Sequence, residues 1–90
     1  MVSTVIIMTQ ERDTDPIDPR GDRLVYEVVA ERITARIEAG EFAPGMPLPS
    51  EPDLADWYGV SRASVRSARR LLEERCLVHV VPGKGTYVTR

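Results

Sequence analysis

The stretch GVSRASVRSARR, residues 59–70, decides the fold because it combines a turn, a helix cap and an arginine-rich helix. Gly59 suits a backbone with positive φ, and Ser61 is a good N-cap for a helix that runs to about Arg75. On a helical wheel, one apolar stripe of this helix faces a core and four arginines share the adjacent face. The stripe is Val65, Ala68 and Leu72, and the arginines are Arg62, Arg66, Arg69 and Arg70. We therefore expect a contact surface on this helix.

Two further helices are predicted before this one. The first extends from an N-cap at Asp22 to a stop at Gly40, and the second from an N-cap at Ser50 to Gly59. Between them, residues 41–49 contain three prolines and a glycine, which exclude a helix. The expected core residues are Val25, Val29, Ile33 and Ile37 in the first helix and Leu54, Ala55 and Tyr58 in the second.

A β-hairpin is predicted after the arginine-rich helix. Residues 77–81 and 86–89 are rich in β-branched and aromatic side chains and flank the turn PGKG, with Lys84 near its tip. Residues 9–21 are polar and contain two prolines and a glycine. The expected division is a flexible arm over residues 1–21 and one domain over residues 22–90. The apolar residues 2–8 fit either an edge strand or a disordered tail.

Charge is distributed unevenly along the 90 residues, although the net charge is only −2. Residues 24–60 carry seven acidic residues against two arginines. Residues 61–90 carry six arginines and one lysine against two glutamates. A polyanion such as nucleic acid would be repelled by the first two-thirds of the chain and attracted to the last third.

The residue inventory argues against an enzyme, a metal site or a cofactor. The chain has one histidine and one cysteine, no phosphate-binding loop, and no pairing of nucleophile and base. The apolar residues 2–8 are far fewer than the roughly 20 that span a bilayer, and they lack the features of a signal peptide. We therefore expect no catalytic residues, no membrane partner and a cytoplasmic location.

The predicted order is helix, helix, three-residue turn, helix and hairpin, which is a helix-turn-helix followed by a wing. In this order, residues 24–88 resemble the winged helix-turn-helix domain of GntR-family (gluconate-repressor type) bacterial transcription regulators. The segments that carry the resemblance are YEVVAERITARIEAGEFAPGMPLPSE, DLADWYGVSRASVRSARRLLEE and LVHVVPGKGTYV. The resemblance implies a mostly α-helical fold with a small β-hairpin, and binding to a double-stranded DNA operator as a homodimer, with repression as the commonest outcome.

The family's DNA-contacting positions carry over to this sequence one at a time. Ser61 and Ser64 match hydroxyl positions at the start of the recognition helix, and Arg62 and Arg66 match its arginines. Gly83 and Lys84 match the tip of the wing, which approaches the minor groove. The helical wheel adds a further residue to these positions, because it places Arg70 on the same face.

Four features depart from the family pattern. Pro52 stands where members often have an arginine, so that contact is absent. Arg69 occupies a position that is usually apolar, and we expect it to extend along the edge of the core to a phosphate while Leu71 becomes exposed. Cys76 stands where a glycine often ends the helix, which would strain the backbone there. The sequence also stops after the wing, so a small-molecule effector is not expected in this chain.

Several interpretations remain open at this stage. The chain could be a DNA-binding regulator or, alternatively, a winged-helix module that binds and modulates another regulator. Trp57 could cover the edge of the core or anchor a dimer interface. Cys76 is expected to be a buried or half-buried small apolar group, and His79 a surface residue or a neighbour of the DNA backbone.

Overall fold

The computed structural model describes Ile17 and residues 24–90. In this part of the chain three helices precede a two-stranded antiparallel sheet: α1 (Val25–Glu38), α2 (Glu51–Tyr58), α3 (Arg62–Glu74), β1 (Val78–Val81) and β2 (Gly85–Val88). This order confirms the predicted winged helix-turn-helix. The predicted arm, residues 1–21, lies outside the described residues apart from Ile17, so the division at residue 21 stays a prediction.

Serine caps begin α2 and α3, as predicted. The Ser50 Oγ accepts a hydrogen bond from the backbone N–H of Asp53 at 3.2 Å, and the Ser61 Oγ accepts from that of Ser64 at 3.0 Å. Each bond satisfies a donor that the first helical turn leaves without a partner.

The start of α1 differs from the prediction. The predicted cap Asp22 lies outside the described residues, and the N-cap position is occupied by Leu24, which has no polar side chain. Its carbonyl accepts from the backbone N–H groups of Glu27 and Val28 at 3.1 and 3.2 Å. The first turn of α1 is therefore closed by the backbone, which an N-cap pattern in the sequence does not reveal.

The turn between α2 and α3 follows from one glycine. Gly59 has φ +64°, and the next residue, Val60, donates its N–H to the Ala55 carbonyl at 3.0 Å. This left-handed end stops α2 and directs the chain into α3 within three residues. Ala55 is buried at the same place, and its small side chain lets the two helices approach closely. The predicted helix-turn-helix unit is confirmed.

The core lies among the three helices and the base of the hairpin. It contains most of the residues predicted from periodicity, whereas Val25 and Ile37 are only partly buried and Ala30 is an addition. Ile17 also belongs to it, since its side chain is 6% exposed and its N–H donates to the Tyr58 carbonyl at 2.9 Å. The buried residues of this core cluster are Ile17, Val29, Ala30, Ile33, Leu54, Ala55, Tyr58, Val65, Ala68, Leu72 and Val78.

The hairpin is attached to the rest of the domain on two sides. Val78 and Val88 face each other in the register and are 3% and 1% exposed, so they fix the base of the wing to the core. The connector between α1 and α2 runs along the other edge of β2. Gly45 donates its N–H to the Val88 carbonyl and Leu48 to the Thr86 carbonyl, each at 2.8 Å. The wing therefore rests against a third extended segment.

The end of α3 confirms one expectation and corrects two. Cys76 has φ +61°, which is the strained backbone predicted where a glycine is common. Its side chain is exposed, however, so the expectation of a buried or half-buried group is wrong. Leu71 is half-buried and packs against the core rather than being exposed. Its surroundings explain the difference, because Leu71 of α3 and Tyr26 of α1 line the same shallow depression.

Candidate nucleic-acid interface

The predicted contact residues of the recognition helix begin with two serines at its N-terminus. The Ser61 hydroxyl accepts from the Ser64 backbone N–H and donates to the Ser64 Oγ at 3.1 Å. This arrangement fixes both side chains and leaves the Ser64 hydroxyl proton to be donated elsewhere. A fixed hydroxyl beside the positive end of a helix dipole suits a phosphate oxygen.

The arginines of α3 separate into two environments. Arg62, Arg66 and Arg70 are exposed, whereas the Arg69 side chain is only 22% exposed. Behind them the stripe of Val65, Ala68 and Leu72 is at most 1% exposed. The wheel therefore predicted correctly which face is buried. It did not show that the side chain of Arg69 is more buried than those of the other three arginines.

A carboxylate from α2 holds two of these arginines. Glu51 Oε1 lies 3.2 Å from Arg66 Nη2, and Glu51 Oε2 lies 3.2 Å from Arg69 Nε. Arg69 Nη1 also lies 2.8 Å from Glu73 Oε1, one helical turn further along α3. Two guanidinium groups and two carboxylates thus form one chain of ion pairs, which we call the Glu51 network: Arg66, Glu51, Arg69 and Glu73.

The Glu51 network changes the expected charge of this face. The formal charges of its four members cancel, so the row of four arginines presents less net positive charge than the sequence suggests. In this structure Arg69 contacts two carboxylates, and its extension to a phosphate stays a prediction. Arg62 and Arg70 have no ion pair with any residue in the described part of the chain.

The wing brings a second group of predicted residues to the same side of the molecule. Lys84 donates its backbone N–H to the Val81 carbonyl at 2.9 Å, which closes the turn at the tip, and Gly83 there has φ +77°. Both residues are exposed, and a Cβ at Gly83 would meet no atom of the described chain within 4 Å. The tip can therefore approach another surface closely with its backbone.

A cleft of about 370 Å³ connects the wing with the helix-turn-helix. Lys84 and Thr86 line it from the wing, Arg69 from α3, and Glu51 from the start of α2. The predicted wing residue Lys84 therefore lies on the same concave surface as Glu51 and Arg69. The sequence alone does not show that Lys84 and Arg69 line one cleft.

The two carboxylates of the Glu51 network, Glu51 and Glu73, were not predicted from the sequence. Glu73 could have been found, because it stands four residues after Arg69 on one helix. Glu51 is 15 residues from Arg66 and 18 from Arg69, and nothing local relates them. Its pairing depends on how α2 crosses α3.

His79 and Tyr87 occupy opposite positions on the wing strands. Their rings are stacked with centroids 6.2 Å apart, and His79 is exposed. This agrees with the expectation of a surface residue. Among the residues that the structure describes, no group of three or more His, Cys, Asp or Glu side chains could hold a metal ion. Over the same residues, no helix has the length and apolar character needed to cross a membrane.

Comparison with known families agrees with the geometry. Residues 25–88 match the profile of "Bacterial regulatory proteins, gntR family". The chain is 43% identical over 68 residues to the mannosyl-D-glycerate transport/metabolism system repressor MngR of Escherichia coli (strain K12). It is 38% identical over 66 residues to the HTH-type transcriptional repressor NagR of Bacillus subtilis (strain 168). These matches cover 76% and 73% of this chain but only 28% and 27% of the relatives.

Solved structures show the same fold. AraR(DBD) in complex with operator ORX1 superposes with a TM-score of 0.77 at 29% identity, covering 83% of this chain and 94% of that one. AraR(DBD) in complex with operator ORE1 gives a TM-score of 0.73 at 32% identity, covering 82% and 90%. The resemblance noted from the sequence is thereby confirmed for the fold and for the family, which is one of bacterial regulatory proteins.

Proposed function

Because the chain belongs to the GntR family of bacterial regulatory proteins, we propose that it is a sequence-specific double-stranded DNA-binding regulator that acts as a repressor. The observation that carries the proposal is the exposed arginine face of α3. Its back is anchored by three buried residues, while Arg62, Arg66 and Arg70 face outward. In a helix-turn-helix, this second helix enters the major groove.

Each predicted contact residue has a defined role in this proposal. Arg62 and Arg66 read guanine O6 and N7 or bind a phosphate. Arg70, which lies further along α3, binds the DNA backbone. Ser61 and Ser64 bind a phosphate oxygen at the helix N-terminus. Gly83 allows the wing backbone to enter the minor groove, and Lys84 binds a phosphate there.

The relatives support DNA as the partner. AraR(DBD) has been solved with operators, and MngR and NagR are named repressors. By analogy this chain would bind operator DNA as a homodimer in the bacterial cytoplasm. A two-fold operator would then present half-sites about 34–36 Å apart, or a multiple of that distance.

The proposal is tested by selecting bound sequences from a pool of random duplex DNA. We expect the chain to enrich one two-fold motif, with binding that weakens steeply as salt is raised. The double variant Arg62→Ala/Arg66→Ala should lose the enrichment. Arg75→Ala is the matched control, because it removes an exposed arginine beyond the last turn of the same helix.

Equal enrichment by the double variant and the wild type would reject the assignment of α3 as the reading helix. If the purified chain binds no duplex at any salt concentration but captures another regulator, the protein-interaction alternative is correct. Sedimentation of the enriched duplex with the chain gives the stoichiometry, and two chains per duplex is the expected result.

A further inference from the structure

The Glu51 network joins α2 to α3, the helix to which we assign base reading. Glu51 is the first residue of α2 and is not among the predicted contact residues. Its carboxylate nevertheless touches Arg66, which we assign to base reading, and Arg69, which lies deeper. The side chains of Arg66 and Glu51 are 48% and 29% exposed, so the pair lies at the surface that DNA would cover.

From this geometry we infer that Glu51 is a specificity-determining residue, which competes with DNA phosphates for Arg66 and so suppresses binding to non-operator sequences. The inference deepens the proposed function and rests on it. Glu51 is a positioning residue in this scheme, since it acts on DNA through Arg66. The contact leaves Arg66 able to read a base. Glu51 Oε1 accepts a hydrogen bond from Arg66 Nη2, and the same guanidinium has further donors on Nη1 and Nε.

Magnitudes decide which partner takes the arginine. A surface ion pair such as this shifts an equilibrium by at most about fivefold. Releasing one counterion from a phosphate at 0.15 M salt is also worth about fivefold. A bidentate arginine–guanine contact discriminates by about fivefold to 150-fold. Glu51 can therefore cancel the gain from a stray phosphate, whereas a correctly placed guanine is read by Nη1 and Nε while the pair with Glu51 stays intact.

Glu73 offers a matched control on the same surface. It pairs with Arg69 at 2.8 Å, and among the described residues it forms no ion pair with Arg66. Glu51→Gln and Glu73→Gln each remove one negative charge from the network and keep the shape of the side chain. An effect of general charge would be the same in both variants, whereas an effect through Arg66 would appear in Glu51→Gln alone.

The experiment measures the affinity of the 90-residue chain for two duplexes over a range of salt concentrations. One duplex is the sequence enriched by the wild type from the random pool, and the other is the same base composition in shuffled order. For Glu51→Gln we expect shuffled-duplex affinity to rise about fivefold, and its salt slope to steepen by about 0.9. Affinity for the enriched duplex should change by less than about twofold. The ratio of enriched-duplex affinity to shuffled-duplex affinity therefore falls.

Two further measurements separate positioning from a structural role. Glu73→Gln should change the ratio by less than about twofold. In the Arg66→Ala background, Glu51→Gln should no longer change the ratio, as a double-mutant cycle requires of coupled residues. A structural role would instead lower both affinities together, with a lower melting temperature.

The outcomes distinguish failure of the inference from failure of the proposed function. If the wild type binds no duplex, the proposed function and the inference both fail. If the wild type discriminates and Glu51→Gln discriminates equally well, only the inference is overturned. It is overturned as well if Glu73→Gln reproduces the effect or if the effect persists without Arg66.

Discussion

The guanidinium of Arg36 lies 4.9 Å from the centroid of the Trp57 ring, and this contact joins α1 to α2. The Phe42 ring lies 5.3 Å from the same guanidinium, and Glu41 forms an ion pair with it at 2.9 Å. The Arg36 side chain is 10% exposed, so the charge sits among aromatic faces close to the core. Trp57 itself is half-buried and packs against the core cluster. These contacts favour the interpretation that Trp57 covers the edge of the core.

Truncating Trp57 should therefore destabilise the domain. We expect Trp57→Ala to lower the free energy of unfolding by about 2–4 kcal/mol, because it removes packing and a cation–π partner of Arg36. The melting temperature should fall by roughly 10 °C or more for a domain of this size. Trp57→Phe keeps an aromatic face and is the control. Loss of a dimer by Trp57→Ala with unchanged thermal stability would contradict this and favour the interface interpretation.

Replacing Cys76 by glycine should stabilise the protein. Cys76 has φ +61°, a conformation that costs a residue with a Cβ about 1 kcal/mol and glycine very little. We expect Cys76→Gly to raise the free energy of unfolding by about 0.5–1 kcal/mol in urea titrations. Cys76→Ala retains the Cβ and the strain, so its stability should equal that of the wild type. A glycine variant no more stable than the alanine variant would show that the strain is absent.

Removing the Arg66 side chain should relax sequence preference. We expect Arg66→Ala to cost about 1–3 kcal/mol on the enriched operator, and to lose the preference for guanine at one position per half-site. The loss on shuffled DNA should be smaller, because there the wild-type guanidinium is held by Glu51. Repeating the selection with the variant gives the direct measurement. An unchanged motif would mean that Arg66 binds only the backbone.

Removing the Lys84 side chain should act differently. Lys84 is exposed at the wing tip, in a turn closed by its own backbone N–H, so its substitution should leave the hairpin intact. We expect Lys84→Ala to weaken binding to all duplexes alike, and to reduce the salt slope by about 1. Binding titrations at several salt concentrations on enriched and shuffled DNA measure both quantities. A loss confined to the enriched duplex would assign Lys84 to base reading.

Much of the fold could be predicted because its signals are local. Ser50 and Ser61 cap helices through residues three positions away, and Gly59 ends α2 through its own backbone. The strain at Cys76 follows from its place at the end of α3. The sequence predictions were wrong where no such local signal exists. Leu24 begins α1 without a polar cap, and Leu71 is half-buried against the core.

The candidate site could be predicted in composition but not in arrangement. The wheel placed Arg62, Arg66 and Arg70 on the outer face, since helical periodicity fixes the direction of every side chain. It could not show that Arg69 turns toward two carboxylates, of which only Glu73 lies on the same helix. It also could not bring Lys84 of the wing to the cleft that Glu51 lines.

The sequence by itself determined the elements, their boundaries within a few residues and the buried side of α3, because caps, turns and periodicity act over one helical turn or less. Tertiary structure decided three things: that Ile17 belongs to the core, that the connector at Gly45 supports β2, and that Glu51 partly neutralises the arginine face. Each of these joins residues far apart in the chain. Their contacts depend on how helices and strands cross, and no pattern within one element contains that information.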